Sequence, residues 1–246
     1  LPKGSGDLLQ LTNRLLILIP AFNEAGNIAQ TVKEVLTECV SAEVLVVDDG
    51  SADDTAKEAA KSGARVLRLP VNLGIGGAVQ AGFLFALRSG YTQVVRLDAD
   101  GQHGAQDIPT ILKGLREGAD LVVGSRFLSP DGFKGLPLRK LGIRFIARLC
   151  RLLNNGLVIG DPTSGFRGYS HIVLKLFAQR YPVDYPEPEE LIMASNAHFR
   201  IIEVPVTMAP RRQGQSSIGG WISIFYILKV VLAAFIEKSR GRNAPG

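Results

Sequence analysis

Four times in the first hundred residues a short apolar run is followed by a polar turn and then by a segment with helical spacing, and few folds accommodate that rhythm. The runs are LLILIP at 15–20, EVLVVD at 43–48, the stretch 65–69 and the stretch 92–97. They are continuous rather than alternating, which predicts strands covered on both faces. A largely parallel sheet flanked by helices and joined by right-handed crossovers follows, so the fold class is α/β, Rossmann-like. DLVVGSRF supplies a fifth strand and IIEVPVTM another. Such sheets bind ligands beyond the C-terminal ends of their strands. That rule brings together three separate stretches, 20–24, 48–51 and 98–102.

The stretch VVRLDADGQH carries Asp98, Asp100 and Gln102 at alternate positions where the chain leaves a strand. Oxygen ligands of this kind suit a hard divalent cation, Mg2+ or Mn2+ holding a diphosphate, better than zinc. Gly101 permits the tight turn that lets its neighbours converge. An Asp/Gly-rich turn without function is the plain alternative, as a helix cap is for Asp48 or Asp49; two carboxylates ending one apolar strand exceed what a cap requires. N-L-G-I-G-G has neither the dinucleotide spacing nor the lysine of a P-loop, so close helix packing is the preferred reading there. Asn27 is placed to cap the first helix, and Asp53 or Asp54 the second. His103 lacks a second histidine nearby and is a poor metal ligand; His171 and His198 read as surface or packing residues.

Length permits a sizeable core, and without an interior linker or repeat one domain over 15–218 is expected. Residues 1–14 read as a frayed end without the apolar core of a signal peptide. Cys39 and Cys150 lie in apolar helical patterns, which suggests a reducing compartment and no disulfide framework. The net charge is +5, with Lys and Arg gathered at 126–151 and again from Arg211 onward. These stretches imply an anionic partner; lacking interleaved aromatics, they fit membrane phosphate better than nucleic acid. The run LPLRKLGIRFIARLCRLLNN is an amphipathic helix whose basic face is, by default, simply solvated.

Taken in order, IPAFNE, VVDDGSADDT, NLGIGGA, DADGQH, GSRF, DPTSGFR and RRQGQS resemble the family 2 glycosyltransferases of GT-A fold. The dolichyl-phosphate mannose synthase-like branch, which uses polyprenyl phosphates, is the nearest in pattern. The resemblance implies an inverting, metal-dependent transfer from a nucleotide-sugar donor. It implies that Pro20, Phe22, Glu24, Val47, Asp48, Asp49, Asp98 and Ala99 line the donor site, with Asp48 and Asp49 not separable. Asp98, Asp100 and Gln102 are implied for the metal, and Arg211 of R-x-x-G-x-S for the donor diphosphate, with Arg212 as substitute. Arg126 and Arg139 match positions for the acceptor phosphate, and Glu189 matches an acidic position that would be the base if one were used. Asp161, Thr163 and Ser164 pin the acceptor-side segment, and a structural role is preferred for Arg167.

The chain departs from that branch at Tyr185-Pro186-Glu187-Pro188-Glu189 and at Ser217, so a UDP- or dTDP-linked donor is as acceptable as a GDP-linked one. The last expectation concerns WISIFYILKVVLAAFI, within 219–240, which is apolar nearly all round. It is short for a membrane span, which needs about 17 to 25 residues, and Lys229 interrupts it. An interfacial helix solves both problems, since Lys229 can reach the head-group layer. The chain is therefore expected at the cytoplasmic membrane face, peripherally attached, with a buried helix or an oligomer contact as alternatives. Transfer to a sugar hydroxyl is the second functional reading. A non-catalytic binding protein and a nicotinamide oxidoreductase are weaker, the latter for want of its fingerprint.

Overall fold

A computed structural model describes residues 14–129, 137–153, 158–183 and 186–209. The strands are β1 (Leu15–Ala21), β2 (Glu43–Asp48), β3 (Arg65–Arg68), β4 (Gln93–Arg96), β5 (Leu121–Ser125), β6 (Arg167–Ser170) and β7 (Ile201–Pro205). The helices are α1 (Ile28–Glu38), α2 (Thr55–Lys61), α3 (Gly74–Arg88), α4 (Ile108–Arg116), α5 (Pro137–Leu153), α6 (His171–Gln179) and α7 (Pro186–Asn196). The strands form one sheet in the order β3-β2-β1-β4-β6-β5-β7. All pairings are parallel except those of β6, which runs antiparallel between β4 and β5.

The apolar runs are continuous because alternate residues feed two different cores. Leu16, Leu18, Leu45, Val47 and Val94 point to the face covered by α3 and α6, together with Phe83, Tyr169 and Phe177. Ile17, Ile19, Val44, Val46, Val95 and Leu97 point to the opposite face, with Val32 of α1 and Ile111 of α4. β1, β2 and β4 are thus buried on both sides, as a parallel sheet requires of its central strands, while the edge strands β3 and β7 are partly exposed.

The glycines at the start of α3 serve packing, as preferred above. A Cβ on Gly76 would lie 1.9 Å from the carbonyl oxygen of Pro182 and 2.4 Å from that of Val183. Both obstacles are backbone and cannot rotate away. Gly76→Ala is therefore expected to lower stability by about 1 to 3 kcal/mol, the usual range for overpacking, and a thermal denaturation comparison with the parent chain measures it.

Asn27 corrects the capping expectation. Its side chain makes no cap hydrogen bond to α1; instead Nδ2 donates to Glu24 Oε2 at 2.6 Å, because a nearby carboxylate is a stronger acceptor than a cap geometry offers. Asp53 does hold the start of α2, accepting the Thr55 N–H at 3.0 Å. Cys39 is a free thiol of intermediate exposure at the edge of the second core. Among the described residues no helix is long and apolar enough to cross a membrane.

Candidate active site

The chain steps from β1 outward to β2 and β3, then returns to place β4 on the other side of β1. A crevice opens at such a reversal, beyond the strand ends. The loop after β1 is laced to the loop after β2: Asn23 N–H donates to Ser51 Oγ at 2.9 Å, Glu24 N–H to Thr55 Oγ1 at 2.9 Å and Ala25 N–H to Asp53 Oδ2 at 3.1 Å. Asn23 takes φ of +54° at this bend, which asparagine tolerates better than most residues. Phe22 stands about half exposed beside it, and Glu24 is partly buried.

Asp48 and Asp49 separate cleanly. Asp48 has no exposed surface; Oδ1 accepts the Ser51 N–H at 3.1 Å and Oδ2 lies 3.3 Å from Arg68 Nε. Asp49 reaches across to the start of α3, where Oδ1 accepts the Leu73 N–H at 2.7 Å. Burial raises the pKa of Asp49, opposed by the N–H groups of Leu73 and Gly74. Both aspartates therefore organise the loops that follow β2 at the crevice. Val47 corrects the donor-lining expectation: its side chain lies wholly in the core under α3 and presents no surface. Pro20 and Ala99 are likewise buried, and the Ala99 carbonyl accepts the Thr31 hydroxyl at 3.0 Å.

The D-A-D-G-Q loop leaves β4 at the reversal. Gly101 adopts φ of +72°, and Asp100 Oδ1 accepts the Gln102 N–H at 3.0 Å. Asp98 is partly exposed, with Arg96 Nη2 at 3.9 Å and His103 Nδ1 at 3.6 Å from its carboxylate. A Cβ on Gly165 would come within 2.8 Å of Asp98 Oδ1, so the DPTSGFR segment passes directly beneath that carboxylate. His103 is buried, its ring stacked on Phe166 at 5.3 Å, and burial holds its pKa below the usual value against the pull of Asp98. The loop is also fastened to the chain after β7, since Ala209 N–H donates to the Gln102 carbonyl at 2.9 Å and Thr207 N–H to Asp107 Oδ2 at 2.7 Å.

Among the described residues no three His, Cys, Asp or Glu side chains form a self-contained metal cage. What is present fits a cation that takes its remaining ligands from a bound diphosphate: two carboxylates and a carboxamide on one tight loop, with Asp98 open to solvent.

Arg126, matched to the acceptor phosphate by the resemblance, is tied to Asp161. It is 5% exposed, and its guanidinium is gripped by Asp161, with Nε 2.6 Å from Oδ2 and Nη2 2.5 Å from Oδ1. Nη2 also donates to Thr163 Oγ1 at 2.9 Å. Asp161 in turn is fixed through its own N–H to Glu203 Oε1 at 2.7 Å. Arg126 thus pins the DPTSGFR segment through Asp161 and Thr163.

The sequence did not disclose a buried ionic network behind Asp98. Arg96, 1% exposed, pairs with Glu187 at 2.5 Å and donates to the Tyr181 hydroxyl at 3.3 Å. Burial alone would lower the pKa of Arg96, and Glu187 more than reverses this. Arg167, fully buried, pairs with Glu190 at 2.5 Å and donates to the carbonyls of Ser164, Pro162 and Glu187. Tyr169 and Tyr181 complete the shell around Glu190. The structural role preferred for Arg167 is what its position shows. The signal available was weak: two arginines at strand positions that should be apolar, and three glutamates in PEPEE.

Glu189 is partly buried and lies two positions, about 200° round the helix, from Glu187. Arg139 lies on α5, with its side chain outside the described residues. Arg211, Arg212, Gly214, Ser216, Ser217, Tyr185 and the C-terminal apolar run also fall outside them.

The model of glycosyl transferase family 2 matches residues 16–177. A polyprenol monophosphomannose synthase of Mycolicibacterium smegmatis is 35% identical over 231 residues, covering 89% of this chain and 87% of the relative. An undecaprenyl-phosphate mannosyltransferase of Micrococcus luteus is 31% identical over 244 residues, covering 93% and 98%. A UDP-N-acetylglucosamine–dolichyl-phosphate N-acetylglucosaminyltransferase of Methanococcus voltae is 31% identical over 216 residues, covering 78% and 84%. In fold, the chain is similar to glucosyl-3-phosphoglycerate synthase of Mycobacterium tuberculosis solved with UDP, at a TM-score of 0.71 and 23% identity, covering 93% of this chain and 81% of that one. The mostly parallel sheet is thus the GT-A type, and the chain is a member of glycosyl transferase family 2.

Proposed function

We propose that this enzyme transfers a sugar, with inversion, from a nucleoside-diphosphate sugar to a polyprenyl phosphate. The observation that carries the reading is that Asp98, Asp100 and Gln102 stand on one turn leaving β4, at the β1/β4 reversal of the sheet. The relatives named above act, by name, on polyprenol, undecaprenyl phosphate and dolichyl phosphate, which supports the acceptor class. Related solved structures hold Mn2+ or Mg2+ with UDP, which supports a divalent cation; Asp98, Asp100 and Gln102 would hold it, and it would offset charge on the leaving nucleotide.

The residues of the chain position the partners. Phe22 and Glu24 border the nucleotide, and Asp49 fixes the start of α3 behind it. Arg211, which follows β7 in the sequence and matches the family's R-x-x-G-x-S, would neutralise the departing diphosphate. A phosphate oxygen of the acceptor attacks the anomeric carbon, the bond from that carbon to the diphosphate oxygen breaks, and the nucleoside diphosphate leaves with the electron pair.

This acceptor needs no side-chain base, because a phosphomonoester with a second pKa near ~6 is already ionised at neutral pH. Glu187 and Glu190 are paired with Arg96 and Arg167, and Glu189 is the residue of α7 that matches the family's acidic position. Glu189→Gln is therefore expected to slow transfer to a polyprenyl phosphate less than about 10-fold, below the 10² to 10⁴-fold typical of a lost general base. Steady-state rates with phosphorylated and unphosphorylated acceptors provide the check. A loss of about 10³-fold, with transfer to an unphosphorylated sugar, would replace this reading by the hydroxyl-acceptor one. The apolar C-terminal run with its flanking Lys238, Arg240 and Arg242 is the proposed attachment to the cytoplasmic membrane face.

A further inference from the structure

Arg96 is hard to explain by stability alone. It follows the apolar Val94 and Val95 on β4 and is itself 1% exposed. A buried ion pair gains little over apolar side chains of similar volume, and Arg96 Nε has no hydrogen-bond partner among the described residues. What the guanidinium does reach is Glu187 of α7, at 2.5 Å from Nη2, and the Tyr181 hydroxyl, to which Nη1 donates at 3.3 Å. Glu187 is held from its other end, where its carbonyl accepts Arg167 Nη1 at 2.9 Å. It belongs to the segment in which the chain departs from the mannose synthase-like pattern.

Arg96 and Asp98 are two positions apart where the chain leaves β4, so their side chains project to the same side. Three groups bound the Asp98 carboxylate. A Cβ on Gly165 would lie 2.8 Å from Oδ1, His103 Nδ1 lies 3.6 Å from Oδ2, and Arg96 Nη2 lies 3.9 Å from Oδ1. The side chain is nevertheless 38% exposed, as a ligand for a cation must be. Arg96 is the permanently charged member of this set, and it faces two carboxylates, Glu187 at 2.5 Å and Asp98 at 3.9 Å. Attraction falls with distance, so Glu187 takes the larger share of the arginine. The distance to Asp98 is too long for a hydrogen bond, and that carboxylate keeps its charge for another partner.

We propose that Glu187 is a positioning residue for the metal loop: by holding Arg96 it keeps the arginine from pairing with Asp98, so that the Asp98 carboxylate stays available to the divalent cation of a bound nucleoside diphosphate. The inference rests on the metal role given to Asp98 under the proposed function. Without Glu187, Asp98 is the other carboxylate within 4 Å of Arg96 among the described residues. A pair closed there would withdraw Asp98 from the cation.

The test titrates UDP, GDP and dTDP onto the full chain, with Mn2+ and with EDTA, and carries forward the nucleotide whose affinity Mn2+ raises most. The ratio of the two affinities is the readout. Glu187→Gln should lower that ratio about 10- to 100-fold, the usual effect of losing an outer partner of a metal ligand, while affinity in EDTA stays that of the parent. The double variant R96M/E187Q removes the competing charge and should restore the ratio. Leu115→Ala, in the core beneath α4, reports lost stability alone, and melting curves set a temperature at which every variant is folded. A ratio for Glu187→Gln that moves no more than in Leu115→Ala overturns the inference. So does a double variant as impaired as the single one, because the effect then does not run through Arg96. If Glu187→Gln does not fold, Glu187→Asp keeps the charge and withdraws it by one methylene; a smaller fall in the ratio is expected, and a parent-like ratio overturns the inference. A parent chain whose nucleotide affinity Mn2+ does not raise removes the metal role of Asp98, and both readings fall. A parent that responds to Mn2+, beside a Glu187→Gln variant that responds equally, removes this inference alone.

Discussion

Replacing Asp100 with alanine is expected to abolish sugar transfer while the chain remains folded. Asp100 sits on an open loop after β4, where its Oδ1 holds the Gln102 N–H, and neither core depends on it. Its proposed work is to hold the cation that offsets charge on the departing diphosphate. Loss of that anchor should slow turnover about 10³-fold or more, equivalent to about 4 kcal/mol of transition-state stabilisation. Turnover with Mn2+ and with EDTA, alongside a melting curve, distinguishes a lost metal anchor from a lost fold. Full activity of the variant in EDTA would show that Asp100 has no such role.

The second large effect is on stability. Arg167 and Glu190 are both without exposed surface and pair at 2.5 Å, and Arg167 also ties Pro162 and Ser164 to α7. Removing one member leaves a buried charge unmatched, which costs about 3 to 5 kcal/mol. Glu190→Gln is expected to lose that much in denaturant unfolding. The double change Arg167→Met with Glu190→Gln should recover part of it, because the stranded charge is gone. A loss below about 1 kcal/mol for the single variant would mean that the network is dispensable. Arg96 and Glu187 extend the same network to within 3.9 Å of Asp98, so the packing of α7 and the position of the metal loop are linked through matched buried charges.

The elements that could be read from sequence are those whose signal is local. β1, β2 and β5 are apolar runs ending in polar turns, and their burial on both faces follows from that pattern. β6 could not be read this way. Its four residues, Arg-Gly-Tyr-Ser, show no apolar alternation, and its place in the sheet depends on Glu190, which neutralises Arg167 from 23 positions away. α7 was obscured by Pro186 and Pro188, which suit a stiff loop as well as the first turn of a helix. At the site, the spacing of Asp98, Asp100 and Gln102 was legible because the chemistry lies within one turn. The pairing of Arg126 with Asp161 was not legible, because Asp161 lies 35 residues on. Val47 was assigned to the pocket by the family resemblance, whereas the parity of the strand turns its side chain to the core.

The most direct measurement of the central claim is transfer of labelled sugar from a panel of UDP-, GDP- and dTDP-linked donors, with Mn2+ or Mg2+, to a short polyprenyl phosphate and to the matching polyprenol. The account predicts an organic-soluble, acid-labile glycosyl phosphodiester formed from at least one donor, no product with the polyprenol, and no product in EDTA. Transfer to the polyprenol or to a sugar hydroxyl, with the polyprenyl phosphate left untouched, would contradict it.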